Sequence, residues 1–324
     1  MIISTFFLVL FLPWISLADF QGIDHNITFL QFQEKHYEYS KTEWNELFAE
    51  LKSAGFEKVI LQWSWFTLEP FYWQLEQERE KAPFGKTDLD LEMHKNILQS
   101  ALRYGIQIEV GLVYDENFWQ MAAKSNDLLE IYLNRMYVES IAVARTFLQY
   151  FEEHPSFVGF YIPQEIDDSN WHTSERGRLL HEYFNRIHEF IIESSQRELS
   201  VSISFFSNGW VSPRHFAELI VAFFENTDVT FVYFQDGIGA QKLNINEAEL
   251  YIQEILKLNP ENVYVIMEIF EISGDQFLLA NKKRLRKQSE MISRYTEKII
   301  SFSYVNHVLG RQETENLDLS APAP

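Results

Sequence analysis

Two apolar runs in this 324-residue sequence each end on a carboxylate. They are Tyr161-Ile162-Pro163-Gln164-Glu165, continuing Ile166-Asp167-Asp168, and Tyr264-Val265-Ile266-Met267-Glu268, continuing Ile269-Phe270-Glu271. An apolar strand gives no packing reason for a charge at its end. One such glutamate is most simply a cap or a salt-bridge partner, but two on facing strands can flank a single bond. Held about 5–5.5 Å apart, two carboxyls cleave a glycosidic bond with retention: one stays protonated and donates to the leaving oxygen, the other is ionised and attacks the anomeric carbon. Burial and mutual repulsion can raise one pKa while hydrogen bonds keep the other group ionised. Glu165 and Glu268 are therefore the catalytic candidates. Asp167, Asp168 and Glu271 lie further into the loops and are expected to be solvent-exposed.

The elements around them determine whether the two glutamates meet. From Asn26 onward, β-branched and aromatic runs alternate with segments of helical period, the pattern of βα units around a parallel sheet. Strands are predicted at 27–33, 58–65, 107–114, 156–164, 200–207, 228–235, 262–268 and 300–306. Their nearly continuous apolar character fits strands buried on both faces. Helices are predicted at 41–53, 89–104, 127–152, 175–195, 214–225, 247–258 and 276–298. The first two stop before Gly55 and Gly105, which tolerate the left-handed turn after a helix, and Thr87 or Asp88 can cap the second. The fold class implied is α/β, a single-domain (β/α)8 TIM barrel with its eighth helix missing or truncated. In such a barrel the reactive groups stand at the C-terminal strand ends. The ends of strands four and seven, three positions apart around eight, face one another across the mouth.

Other residues at those ends are of types that hold sugars. Apart from Trp14, six tryptophans (Trp63, Trp65, Trp73, Trp119, Trp171 and Trp210) fall at strand ends or just beyond, and only Trp44 falls in a helix. Flat aromatic faces beside polar groups suit the stacking of sugar rings, which makes Trp63, Trp171 and Tyr114, the last closing strand three, binding candidates. Neutral amides donate to and accept from hydroxyls without fixing a charge. Gln31, Gln62, Asn208 and Gln235 are such groups and Asp236 adjoins them; Gln33, Asp115, Asn306 and His307 lie at other strand ends. The alternative for each is an ordinary loop hydrogen bond.

Composition narrows the remaining classes. With 46% hydrophobic and 16% aromatic residues and no cysteine, the chain can bury a core but cannot use disulfides, thiolates or Cys-ligated zinc. A net charge of −20 repels phosphate backbones and anionic headgroups, so no nucleic-acid partner is expected. The cluster Lys282, Lys283, Arg284, Arg286, Lys287 reads as a solvated helix face. Strand one carries Gln31-Phe32-Gln33 where metal-dependent amidohydrolases resemble one another in a His-x-His, and the last two loops offer only Gly274 and Gly310 for phosphate binding. Gln235-Asp236-Gly237-Ile238-Gly239 reads as a tight loop. A carboxylate metal site from Asp115, Glu165 and Asp236 is the minor alternative; no cofactor and no metal are expected.

Residues 2–15 form an apolar run followed by Ser16-Leu17-Ala18, the small-x-small shape of a signal-peptidase site, although no Lys or Arg precedes it. The run is shorter than the ~20 residues of a membrane span and contains Pro13. The expected organisation is a signal peptide at 1–18, the barrel at 19–309 and a disordered tail at 310–324. The mature protein is then periplasmic or secreted, with no stable membrane anchor.

Thr28-Phe29-Leu30-Gln31, Ile60-Leu61-Gln62-Trp63-Ser64, Gly159 to Asp167, Phe234 to Gly239 and Glu268-Ile269-Phe270 together resemble a bacterial barrel family classed as a domain of unknown function and likened to clan A glycoside hydrolases. That resemblance covers about residues 26–308. It implies Glu165 as acid/base and Glu268 as nucleophile. It places Gln164 where the clan has an asparagine contacting the sugar 2-hydroxyl, and Tyr304 where the clan has an aromatic beneath the sugar. The reading is a retaining O-glycoside hydrolase acting on a β-linked oligo- or polysaccharide. Its competitors are a non-catalytic carbohydrate-binding barrel in polysaccharide export or adhesion, and a metal-dependent hydrolase.

Overall fold

The computed structural model describes residues 25–67, 89–258, 261–274 and 276–309. The expected signal peptide and tail lie outside the described residues, as does Trp73. Eight strands, β1 (Ile27–Leu30), β2 (Lys58–Leu61), β3 (Gln107–Gly111), β4 (Phe157–Asp167), β5 (Ser200–Phe206), β6 (Phe231–Gln235), β7 (Val263–Glu268) and β8 (Ile299–Phe302), close into a barrel in the order β1-β8-β7-β6-β5-β4-β3-β2. Every neighbouring pair is parallel, and Ile27 opposite Ile300 closes the ring. The fold is the (β/α)8 barrel that the alternation of runs implies.

The helices between strands are α1 (Lys41–Ser53), α2 (Leu91–Tyr104), α3 (Asn126–Phe151), α4 (Ser174–Ser194), α5 (Pro213–Phe224), α6 (Ile245–Leu258) and α7 (Lys282–Ile292). Ser40 and Glu43 form a capping box on α1, and Gly105, at φ 65°, ends α2. The described chain closes on a single wide turn, Val305–Leu309, where an eighth helix would stand.

Three expectations on element boundaries change. The predicted second and third strands each divide: beyond β2 and β3 the chain leaves the barrel, and Trp65–Thr67 pairs with Val113–Asp115 as a separate parallel ladder. The fourth strand runs on to Asp167, so Glu165 lies within it, inside the shift of register between Ile162 and Ile166. The long helix predicted over 276–298 is only partly helix. Phe270–Ser273 and Gln276–Leu279 form an antiparallel hairpin turning at Gly274 (φ 61°), and helix begins only after Asn281, whose side chain accepts from Arg284 N–H. Phe270, on the hairpin, packs against Phe277, Phe302 and His307; this tertiary packing overrides the helical propensity of Leu278-Leu279.

The barrel interior is a compact cluster of Ile27, Phe29, Ile60, Tyr161, Tyr233, Ile266 and Ile300, separate from the larger core between strands and helices. One ion pair is sealed within it. Glu109, fully buried, pairs with Lys58, the first residue of β2, and accepts from Ser202 and from Tyr233 Oη at 2.9 Å. A charge there is tolerated only because its partners are in place. Lys58→Met is therefore expected to destabilise the fold by about 3 kcal/mol or more in urea unfolding, whereas Lys58→Met combined with Glu109→Leu recovers most of that loss. An equal loss in the single and double variants would mean that packing of the lysine stem, rather than charge, stabilises the barrel.

Candidate active site

The C-terminal mouth of the barrel holds a cleft of about 600 Å³ lined by both Glu165 and Glu268. They arrive from β4 and β7 on opposite walls, as the strand count requires. Trp119, Phe206 and Phe277 add aromatic surface, while Asn170, Asn208 and Gln235 add amides.

Both carboxylates accept hydrogen bonds. Glu165 Oε1 accepts from Gln235 Nε2 at 2.6 Å, and Glu268 Oε2 accepts from Ala240 N–H at 2.7 Å. Burial raises the Glu165 pKa to about 7 against the opposing Gln235 bond, with the Asp167 charge adding to the rise. Glu268, only 3% exposed, is raised to about 8 by burial first, then by the Asp236 charge, with Glu165 a smaller contributor. Neither carboxyl is an ordinary surface acid. Each feels the charge on its neighbours, and the two stand in one water-accessible space.

Behind Glu268 lies a buried support. Asp236, fully buried, accepts from Ile238 N–H at 3.2 Å, from Glu268 N–H at 3.4 Å and from the Gln288 amide. Gln288 also donates to Glu268 O at 3.2 Å, and Arg284 Nη2 donates to the carbonyls of Glu268 and Phe270, both at 2.7 Å. Two side chains of α7 thereby fix the backbone at the nucleophile candidate and just after it. Burial also pushes Asp236 up, to about 6.

The Gln235-to-Gly239 stretch is the tight loop it was expected to be. Gly237 adopts φ 67°, and a Cβ at Gly239 would stand 2.8 Å from Glu268 Cβ and 2.6 Å from Phe270 O. Only glycine lets this loop close on the carboxylate.

Of the binding candidates, Gln235 and Asn208 line the cleft. Asn208 Oδ1 accepts from Lys242 Nζ at 2.7 Å. Most of the others go elsewhere. Gln164 is buried, its amide donating to Val113 O and accepting from Tyr183 Oη, both at 2.8 Å, so the group expected at a sugar hydroxyl instead ties β4 to neighbouring elements. Asp236 sits behind Glu268 rather than beside a ligand. Tyr304 is fully buried against Phe56, 4.9 Å between ring centroids, and offers no face to a sugar. Trp171 is buried and stacked on Phe118, and Trp63 is buried and stacked on Tyr114 at 5.3 Å. Burial and the Glu165 charge push the Tyr114 phenol up to about 12. Gln31 is fixed through its backbone to the Asn306 side chain, and Gln62 Oε1 is buried without a partner among the described residues. Asp115, weighed for a metal, is engaged by Arg135 and Asn117.

Two expectations on acidic neighbours reverse. Asp167 and Asp168 are 3% and 2% exposed, not solvated. Asp167 accepts from Ser169 N–H at 2.9 Å and from the Asn170 amide at 2.7 Å while still lining the cleft. Asp168 accepts from Ser207 Oγ and from the N–H groups of Asn208 and Trp210, all within 2.9 Å, fastening the β5 loop to β4. The sequence pattern missed this because a short run of acids after a strand looks the same whether loop backbone folds onto it or not. It also passed over Phe206, Phe277 and Lys242 as site residues. The first closes β5, a position that could have flagged it; the other two come from segments whose placement depends on tertiary packing.

Comparison with known proteins agrees with this architecture. A Bacteroides thetaiotaomicron protein provisionally assigned as an alpha-L-fucosidase superposes with a TM-score of 0.68 at 19% identity, over 91% of each chain. An intracellular xylanase of Thermoanaerobacterium saccharolyticum, solved with xylotriose, does so with 0.51 at 13% identity, over 89% of this chain and 87% of that one. Such likenesses show the fold. In sequence, the uncharacterized protein YbcH of Escherichia coli K12 is 29% identical over 225 residues, 69% of this chain and 68% of its own length. The family model described as a domain of unknown function (DUF4434) matches residues 27–313, and the chain belongs to that family.

Proposed function

We propose that this protein is a retaining O-glycoside hydrolase acting on a β-linked oligo- or polysaccharide, exported to the periplasm or beyond. The observation that carries this reading is the pair of raised carboxyls, Glu165 and Glu268, lining one cleft from opposed strand ends between aromatic walls. In the first half-reaction Glu165 donates its proton to the leaving glycosidic oxygen while Glu268 attacks the anomeric carbon; the C–O bond breaks and a glycosyl-enzyme forms. Glu165, now ionised, then takes a proton from water, and that water releases the sugar with its anomeric configuration retained. The export part rests on the apolar run and the Ser16-Leu17-Ala18 site.

The test is hydrolysis of aryl β-glycosides and bacterial polysaccharides, with the anomer of the first-formed product read by NMR. A retained anomer, and a glycosyl-enzyme trapped on Glu268 by an activated fluorosugar, support the reading. An inverted product would make Glu268 a general base that activates water for direct displacement, with Glu165 still protonating the leaving oxygen. Binding of glycans with no turnover on any of them would favour the carbohydrate-binding barrel. The engagement of the Gln164 amide by Val113 and Tyr183 is the observation on that side, since it leaves the 2-hydroxyl without its expected partner.

The pH dependence follows from the same groups. The productive state has the pair's single proton on Glu165 with Glu268 ionised; because Glu268 is raised further than Glu165, this is the minority arrangement of that proton, and the pair titrates together. With Glu165 at about 7 and Glu268 at about 8, kcat/KM is expected to peak between those values. It falls at lower pH as both hold protons, and at higher pH as both lose them. Asp236→Asn removes the negative charge that opposes ionisation of Glu268, so the acid limb moves to lower pH by roughly one pH unit. The alkaline limb stays in place, because Asp236 is not among the groups that raise Glu165. A pH–rate profile unchanged by this substitution would remove Asp236 from the electrostatics of the site.

A further inference from the structure

Beside the catalytic cleft lies a second cavity, about 660 Å³, between the loop after β6 and the first turns of α7. Its charge runs against that of the chain. Lys242, Lys283 and Lys287 line it and are exposed; none of them makes an ion pair with a carboxylate among the described residues. The one acidic residue on its wall, Glu247, accepts from Asn244 N–H at 2.8 Å, within the turn that starts α6. Arg284, also on the wall, directs its guanidinium to the carbonyls that hold Glu268, with Glu271 nearby.

A solvated helix face is a poor account of these cations. Lys282 and Lys283 open α7, whose first turn has no acidic residue, so they face the positive end of the helix dipole. Lys283 and Lys287 stand four apart, a like-charge spacing that disfavours the helix. The spacing of Lys283 and Lys287 works against folding, and among the described residues neither lysine has a carboxylate partner that offsets it. Net repulsion from a chain of charge −20 does not cancel the patch, because at physiological ionic strength charges beyond about 8 Å are largely screened. Lys242 belongs to both spaces: it lines the catalytic cleft, and its ammonium donates to Asn208. A chain seated against Glu165 and Glu268 would thus pass the three lysines on leaving the cleft.

We infer that this cavity is a subsite for the anionic substituents, carboxylate or sulfate, of an acidic polysaccharide whose neighbouring sugar occupies the Glu165–Glu268 cleft. The inference rests on the glycosidase reading for the location of that sugar and names the substrate class. Screened ammonium groups recognise point anions without fixing their geometry, which suits a repeating acidic chain more than one small metabolite.

Calorimetric titration of the full chain with oligogalacturonate, a sulfated oligosaccharide, a neutral cello-oligosaccharide of equal length and inorganic sulfate tests it. One of the two acidic glycans is expected to bind about tenfold or more tightly than the neutral one at low salt, with the advantage shrinking as salt rises. Which of them binds tighter identifies the substituent. Lys283→Gln with Lys287→Gln erases the advantage and leaves turnover of a small aryl glycoside unchanged. Lys52→Gln with Lys95→Gln, the same charge change elsewhere, keeps it. Equal affinity for neutral and acidic glycans, equal loss in both double variants, or sulfate ion binding as tightly as the oligosaccharides would each overturn the inference. Lysine-dependent glycan binding without turnover would instead overturn the glycosidase reading and leave the subsite standing.

Discussion

Glu268→Gln is expected to lower kcat by about 10⁴-fold or more on every hydrolysed glycoside, while glycan affinity measured by titration changes little. The size follows from the role. A nucleophile supplies the bond that divides displacement at the anomeric carbon into two steps, and an amide in its place forms no such bond; removing a group of this kind from a catalytic unit typically costs about 10⁴ to 10⁶. The substitution is nearly isosteric. Its Oε1 or Nε2 still faces Ala240 N–H, and an amide oriented to accept keeps that bond. Loss of a buried carboxyl raised to about 8 also removes a group that burial disfavours, so the variant is expected to unfold at no lower urea concentration than the parent. That separates chemistry from folding. A variant retaining more than about one per cent of parental turnover would take Glu268 out of the nucleophile role and return the cleft to a reaction that uses Glu165 alone.

Much of the architecture was legible because it depends on patterns that local physics enforces. A strand buried on both faces must be an apolar run, so Lys58–Leu61, Phe231–Gln235 and Val263–Glu268 announced themselves, and counting eight strands placed Glu165 opposite Glu268. The site's polar detail was less legible, because an amide or a carboxylate carries the same sequence signal whether it faces a ligand or a neighbouring carbonyl. Gln164 illustrates this: its place beside Glu165 suggested a sugar contact, yet alternation along β4 turns it away from the mouth, toward Val113 and Tyr183. Asp236 likewise lies one residue beyond Gln235 and faces the opposite way, into the support behind Glu268. The tryptophans misled for a related reason. Trp63 and Trp171 do fall at strand ends, but the short ladder after β2 and the helix Phe118–Ala122 cover them, and neither cover is visible in the period of the sequence. Trp119, from that same short helix, is the tryptophan that lines the cleft among the described residues. The hairpin before α7 was missed as well, and with it Phe277 on the cleft wall.

Glu165→Gln should show an effect whose size depends on the leaving group, which distinguishes a general acid from a carboxylate that merely orients substrate. Proton donation is worth about 10²–10⁴ in rate when the departing oxygen is a poor leaving group. A glycan or an unsubstituted aryl glycoside is therefore expected to lose activity in that range. A dinitrophenyl glycoside, whose anion departs without a proton, should form the glycosyl-enzyme at close to the parental rate. Deglycosylation of that intermediate still needs Glu165 as base, so turnover stalls after a burst of dinitrophenol equal to the enzyme present. A small nucleophile such as azide requires no base, so it should restore turnover and yield the β-glycosyl azide. The pH profile should change with it: the limb reporting Glu165, raised to about 7, disappears and the limb of Glu268 remains. The Gln235 amide now meets another amide in place of Oε1, and it can keep one bond only if the new side chain presents its oxygen. A modest uniform loss across all leaving groups, with no burst and no azide product, would assign Glu165 to substrate orientation and leave the source of the proton to another group on the cleft wall, of which Asp167 is the one with a carboxyl.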